Sequence, residues 1–206
     1  MTINKWGGLA SFLIALSFMV APPIYLIGNL RDAMGRLGYN LADFLSGPVL
    51  SVSLVTLVYV LRERIGQNAF RRMDLALLTA VLAAVGLAAV AFIRASNRHY
   101  HLTHPDLHLE NATTVLLVWD TLVTGMNSLG FYFLGWTFVL LGSASWTSKL
   151  LPRPLSLLYF LAGASSLFVY LLAELEGLVL LLSTAISIWQ GILLWLHDLR
   201  PNTTAG

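Results

Sequence analysis

Charge is missing from six stretches of this chain, and that limits the fold more than any other feature of the sequence. No Asp, Glu, Lys or Arg occurs in 6–30, 44–61, 75–93, 154–173 or 177–196, and in 111–148 only Asp120 is charged. A helix that crosses the hydrocarbon layer needs about 20 mostly apolar residues, so each stretch is long enough to cross. Backbone amides in lipid must bond within their own segment or around a closed barrel. The sequence lacks the roughly ten-residue apolar/polar alternation of a barrel. The expectation is an all-α polytopic transmembrane bundle, a single integral membrane domain with six spans at about 6–29, 44–62, 74–94, 115–141, 154–173 and 177–197.

Composition excludes most other classes. Of 206 residues, 57% are hydrophobic and 11% charged, under half the charge of an average soluble domain, about 25%. A disordered chain and a nucleic-acid module are excluded, so the expected partner is the lipid bilayer. With no cysteine, so is a disulfide-stapled secreted domain. The 111–148 stretch is too long for one ordinary span and too short for two with a turn, so it reads as one long or tilted helix. Lys5 before an apolar run resembles a signal peptide, but cleavage after Ala21 would face Pro22 and Pro23, so a retained helix is expected.

The basic residues set the expected orientation. With the N-terminus cytoplasmic, eight fall inside (Lys5, Arg62, Arg64, Arg71, Arg72, Lys149, Arg153, Arg200) and four outside (Arg31, Arg36, Arg94, Arg98). Both termini then lie in the cytoplasm, in what reads as a bacterial inner membrane, and the turn holding Glu174 and Glu176 lies outside. Between helices in lipid, small residues permit close approach. Ala76, Ala80, Ala84 and Ala88 form one such ridge, and Ser183, Ser187 and Gly191 another. Gly125, Gly130 and Gly135, five apart, suit contact with more than one neighbour. Pro22 and Pro23 are expected to bend the first helix, and Pro48 to occupy the first turn of the second. Trp6, Trp146, Trp195, Tyr25 and Trp119 read as interface anchors, and the deeper Trp136 and Trp189 as fillers of helix–helix grooves.

Two sets of residues are candidates for chemistry. His99, His101, His104 and His108 cluster in the 94–114 connection beside Asp106 and Glu110. In an extended strand His99 and His101 would share a face, and a helix from Pro105 would put Asp106 and Glu110 four apart. Imidazoles with carboxylates form a normal ligand set for Zn²⁺ or Cu²⁺. The spacing matches no specific metal motif, and a solvated loop, a pinned loop or a pH-responsive loop fits equally. The second set is Asp120 and Asn127, seven residues apart and so on nearly one helix face, with Thr124 and Ser128 nearby. A carboxylate inside a span normally faces the bundle interior. It would serve as part of a proton or solute path or as polar glue between helices, or it would reach the outer interface or pair with Arg94. No histidine lies at mid-helix, so no membrane haem is expected. No Gly-x-Ser-x-Gly, P-loop or dinucleotide motif occurs, so no catalytic residue is assigned.

The stretch Gly135-Trp136-Thr137-Phe138-Val139-Leu140-Leu141-Gly142, then Leu151-Pro152-Arg153-Pro154-Leu155, then Leu161-Ala162-Gly163-Ala164, resembles small bacterial six-helix integral-membrane proteins of a family of unknown function. The resemblance covers about a third of the chain. It implies about six helices with a Leu-Pro-Arg turn after the fourth, and it carries no functional residue. Three functions follow as expectations. The first is a non-catalytic accessory or scaffold subunit packing against other membrane-protein subunits. The second is a small transporter or channel using Asp120 and Asn127. The third is a metal-binding protein or metal-dependent enzyme at the outer histidines.

Overall fold

A computed structural model of the chain describes residues 2–26, 28–65, 69–103 and 112–196. All regular structure among them is helical: α1 (Ile3–Leu26), α2 (Gly28–Phe44), α3 (Leu50–Arg64), α4 (Phe70–Thr103), α5 (Ala112–Ser148), α6 (Arg153–Phe168) and α7 (Leu175–Leu196). A π-helical turn, Leu45–Val49, joins α2 to α3. Among the described residues five helical stretches are long and apolar enough to cross a membrane: Ile3–Tyr25, Leu37–Arg64, Phe70–Asn97, Leu117–Ser148 and Leu175–Leu196.

The sixth charge-free stretch behaves differently. It yields only the 16 residues of α6, about 24 Å at 1.5 Å per residue, short of a 30 Å hydrocarbon layer. Residues 169–174 turn back instead, held by Leu171 and Leu172 amides donating to the Phe168 carbonyl. No Gly or Pro marks this turn. A run without charge reports compatibility with lipid, and that property does not fix where a helix stops.

The helices close into a ring in chain order. α1 packs on α3, α3 on α4, α4 on α5, α5 on α6, α6 on α7, and α7 back on α1. Glycine makes the tightest crossings possible. A Cβ at Gly135 would stand 2.9 Å from the Gly163 carbonyl oxygen, one at Gly86 3.0 Å from the Gly130 Cα, and one at Gly191 2.8 Å from the Phe12 ring. Gly130 therefore serves α4 and Gly135 serves α6, as their five-residue drift around α5 requires, while Gly125 meets nothing within 4 Å. Ala76, Ala80 and Ala84 are buried, and the Ser51 hydroxyl donates to the Ala84 carbonyl at 2.8 Å. Polar side chains tie the remaining seams. Ser166 donates to the Phe131 carbonyl at 2.6 Å, Thr137 Oγ1 lies 3.0 Å from Thr79 Oγ1, and the Tyr159 hydroxyl donates to Gln190 Oε1. Such bonds between helices in lipid contribute roughly 0.6–2 kcal/mol each.

Several local expectations need correction. The 31–43 connection is not a loop: it lies in α2, which is broken at Gly35 (φ 53°, ψ −140°), a backbone state that glycine adopts without steric cost. Pro48 sits inside the π-turn and not in the first turn of a separate helix. The π-turn lets α2 run on into α3 around a residue with no amide hydrogen, and Gly47 there leaves no room for a side chain against Ala91. α4 and α5 run past the expected ends, 34 and 37 residues long. Trp136 and Trp189 do not fill grooves; they are 40% and 37% exposed on the outside of the ring. The helix contacts beside them are closed at Gly135 by the Gly163 carbonyl and at Gly191 by the Phe12 ring.

Candidate functional site: a polar cavity at one end of the ring

The two ends of the ring are built from different helix termini. α1 begins and α7 finishes at the amino-terminal end; α1 finishes and α7 begins at the far end. A cavity of about 990 Å³ opens at the far end. α1 contributes Ser17, Phe18, Ala21, Pro22 and Tyr25, and Tyr39, Ser46 and Leu50 come from α2, the π-turn and α3. α4 supplies Leu87, Arg94 and Asn97, and α5 supplies Asp120, Asn127 and Phe131. Ala173 and Glu174 from the turn, with Glu176, Gly177 and Leu180 of α7, complete the wall. From Asp120 to Phe131 the wall runs 11 residues, roughly 16 Å along the α5 axis.

The early end of α6 explains why there is space here. Ser166 bonds α5 at Phe131, and α6 stops two residues later, at Phe168. α5 continues from Phe131 back to Ala112, so beyond Phe168 no helix stands between α5 and α7. Below, the cavity is blind. Phe18, Leu50, Leu87 and Phe131 are buried at its floor, and Leu54, Leu134 and Val58 pack in the core cluster beneath.

Two helix irregularities border the same cavity. Pro22 and Pro23 lie within α1 and have no N–H to give, so the Phe18 and Met19 carbonyls lose their usual donors four residues on. Phe18 and Pro22 both face the cavity. Ser46 reaches it from the π-turn. Backbone irregularity at membrane depth is tolerated where it is enclosed by protein or borders water.

The charges divide into an engaged group and an idle one. The Arg94 guanidinium lies 4.8 Å from the Tyr25 ring centre, a cation–π distance. The Tyr25 hydroxyl donates to the Asp43 carboxylate, which is buried at 4% exposure. Arg94, Tyr25 and Asp43 thus form one chain of contacts that runs through the tyrosine. Asp120, Glu174 and Glu176 make no hydrogen bond or ion pair among the described residues, and Asn127 makes none either. The Asn97 Oδ1, shielded from solvent, has no hydrogen-bond partner.

Asp120 and Asn127 are therefore brought into one cavity, as their spacing predicted, whereas Thr124 and Ser128 do not line it. The expected Asp120–Arg94 pair does not form, since Arg94 is spread over Tyr25. The histidines are not arranged as the strand reading required. Residues 99 and 101 both lie in α4, so the extended strand that would put them on one face does not form. The His101 side chain, His104 and His108 lie outside the described residues. Among the described residues no three His, Cys, Asp or Glu side chains group as metal ligands.

Sequence reasoning missed Tyr25, Asp43, Arg94, Glu174 and Glu176 as members of one site. The signal was available, because in an up-and-down ring the ends of alternate charge-free stretches meet. The stretches 31–43, 94–120 and 174–176, which join helices at the far end, hold seven acidic and four basic residues between them. No family model matches this chain, and no curated protein or solved structure is similar to it at a significant level. What the cavity does has to be read from its own chemistry.

Proposed function

We propose that this chain is a six-span membrane carrier that takes a small solute into the far-end cavity, using Asp120 and Asn127. In this reading α6 counts as the sixth, short crossing, both termini are cytoplasmic, and the cavity faces outward from a bacterial inner membrane. One observation carries the proposal: a blind cavity of about 990 Å³, the upper size for small-molecule sites, whose lining includes Asp120, Asn127, Glu174 and Glu176, which no described residue engages. A channel needs a continuous path, and a blind cavity suits a carrier that opens one side at a time. Helix breaks beside a cavity are the usual setting for solute sites in carriers. The buried face of α7 below the cavity adds support. Ser183, Ser187 and Gln190 follow one another along it, all buried, and Ser183 Oγ and Gln190 Nε2 have no hydrogen-bond partner. A buried polar group left unpaired costs about 1–3 kcal/mol, so an apolar face would serve a purely structural seam better.

The absence of cysteine makes the test simple. A single cysteine at Asn127→Cys, in vesicles of known orientation, should react with a membrane-impermeant thiol reagent added from outside. Ser187→Cys should stay unreactive. No labelling at position 127 from either side would end the carrier reading.

A second reading, an accessory subunit packed against other membrane proteins, is favoured by a different observation. Leu117, Val118, Thr121, Leu122, Gly125, Met126 and Leu129 line an apolar groove along α5, and a side chain at Gly125 would meet only open space. Purification in mild detergent would then yield a stoichiometric partner that Gly125→Trp displaces; a lone chain from both proteins would remove this reading.

A further inference from the structure

The charge pattern of the cavity points beyond a generic solute, and we infer that its ligand is an organic cation with an apolar body, an inference that rests on the carrier reading above. Arg94 is the cavity's basic side chain among the described residues, and it lies over the Tyr25 ring, whose hydroxyl donates to Asp43. Asp120, Glu174 and Glu176 line the same cavity as three carboxylates that no described residue pairs with. A positive ligand in this cavity is attracted by all three together. An anion would meet the same three charges as repulsion.

The uncharged part of the wall fits the rest of such a molecule. Phe18 and Phe131 sit at the floor, both nearly closed to solvent. They give this part of the lining apolar character. The carboxylates stand at the mouth and the aromatic rings below, so the ligand enters with its apolar end first. The missing sixth wall beyond Phe168 opens the cavity sideways between α5 and α7. A cation with an apolar body can arrive by that side from the lipid or through the mouth from water, and the ammonium of a lipid headgroup shares the chemistry of a free amine.

The test uses two probes of one shape and opposite charge, tetraphenylphosphonium and tetraphenylborate. Each is titrated against the full chain purified in a non-ionic detergent, with calorimetric detection. The phosphonium should bind saturably at one site and the borate should not compete. The triple variant Asp120→Asn/Glu174→Gln/Glu176→Gln should lose at least tenfold in affinity. Glu174→Gln alone, in an exposed turn where folding is not at risk, should lose about threefold, in line with one partly solvated charge. Equal binding of both probes, or an affinity indifferent to Glu174→Gln, overturns the inference. Repeating the titration in nanodiscs separates the sources. Weaker phosphonium binding in phosphatidylethanolamine than in phosphatidylglycerol, after correction for partition into empty discs, identifies a headgroup as occupant; equal binding identifies a free cation. A cysteine at position 127 that reacts while the phosphonium fails to bind refutes the ligand class and leaves the carrier intact. An unreactive position 127 refutes the carrier itself.

Discussion

The two ends of this ring share the same helices and differ in almost everything else. At the amino-terminal end the side chains are tied to one another. Arg62 holds Asp74 at 2.6 Å and lies 4.2 Å from the Phe70 ring centre, while Arg72 donates to Ser143 and Thr147 at 3.1 and 2.8 Å. At the far end, Asp120, Asn127, Glu174 and Glu176 line a large space and engage no described residue. A polar group left without a partner, at the end of the molecule where space has been left, is available for a ligand. The closed end supplies the rigidity against which that space is held open.

This contrast is open to direct attack, and the largest effect is expected at the tightest crossing. Gly163→Leu would drive a side chain into the Gly135 carbonyl, 2.9 Å from the first added carbon, and should destabilise the protein by about 3 kcal/mol. A clear fall in melting temperature in detergent would register it; an unchanged melt would mean that α5 and α6 do not cross there. Next comes Tyr159→Phe, which removes the donor to Gln190 and leaves a buried amide with neither end satisfied. About 1–2 kcal/mol should be lost, measured the same way. Arg72→Ala breaks two exposed bonds and should cost under about 1 kcal/mol. The smallest shift is predicted for Asp120→Asn, within about 0.5 kcal/mol of the parent, because the carboxylate supports no contact. If Asp120→Asn melts as early as Tyr159→Phe, the carboxylate is structural glue and the contrast between the ends fails.

Much of the helical layout was readable from the pattern of charge, because burying an unpaired ion in hydrocarbon costs enough to exclude it from the spans. That argument found the helices containing Ile3–Tyr25, Phe70–Asn97, Leu117–Ser148 and Leu175–Leu196. It failed at α6, where lipid compatibility extends to Ala173 but the helix ends at Phe168. It also failed around Asp43. There a charge read as the edge of a span is buried within a helical run from Leu37 to Arg64, since Tyr25 supplies its hydrogen bond. Asp120 and Asn127 were legible as a pair because a seven-residue interval nearly repeats the helical turn. Arg94 was legible only as a partner for Asp120, and Glu174 and Tyr25 were not, because residues this far apart in sequence meet only once the ring has closed.

By itself the sequence determined that the chain must be helical in lipid, roughly where its helices run, and that acidic residues gather at one set of connections. These are local properties, set by the cost of charge and of unbonded amides in hydrocarbon. Only the tertiary structure decided that α6 stops short, that Trp136 and Trp189 face outward, and that three carboxylates from α5, the 169–174 turn and α7 border one cavity. Each of these depends on how closely two helices approach, and that distance is set jointly by side chains on both partners.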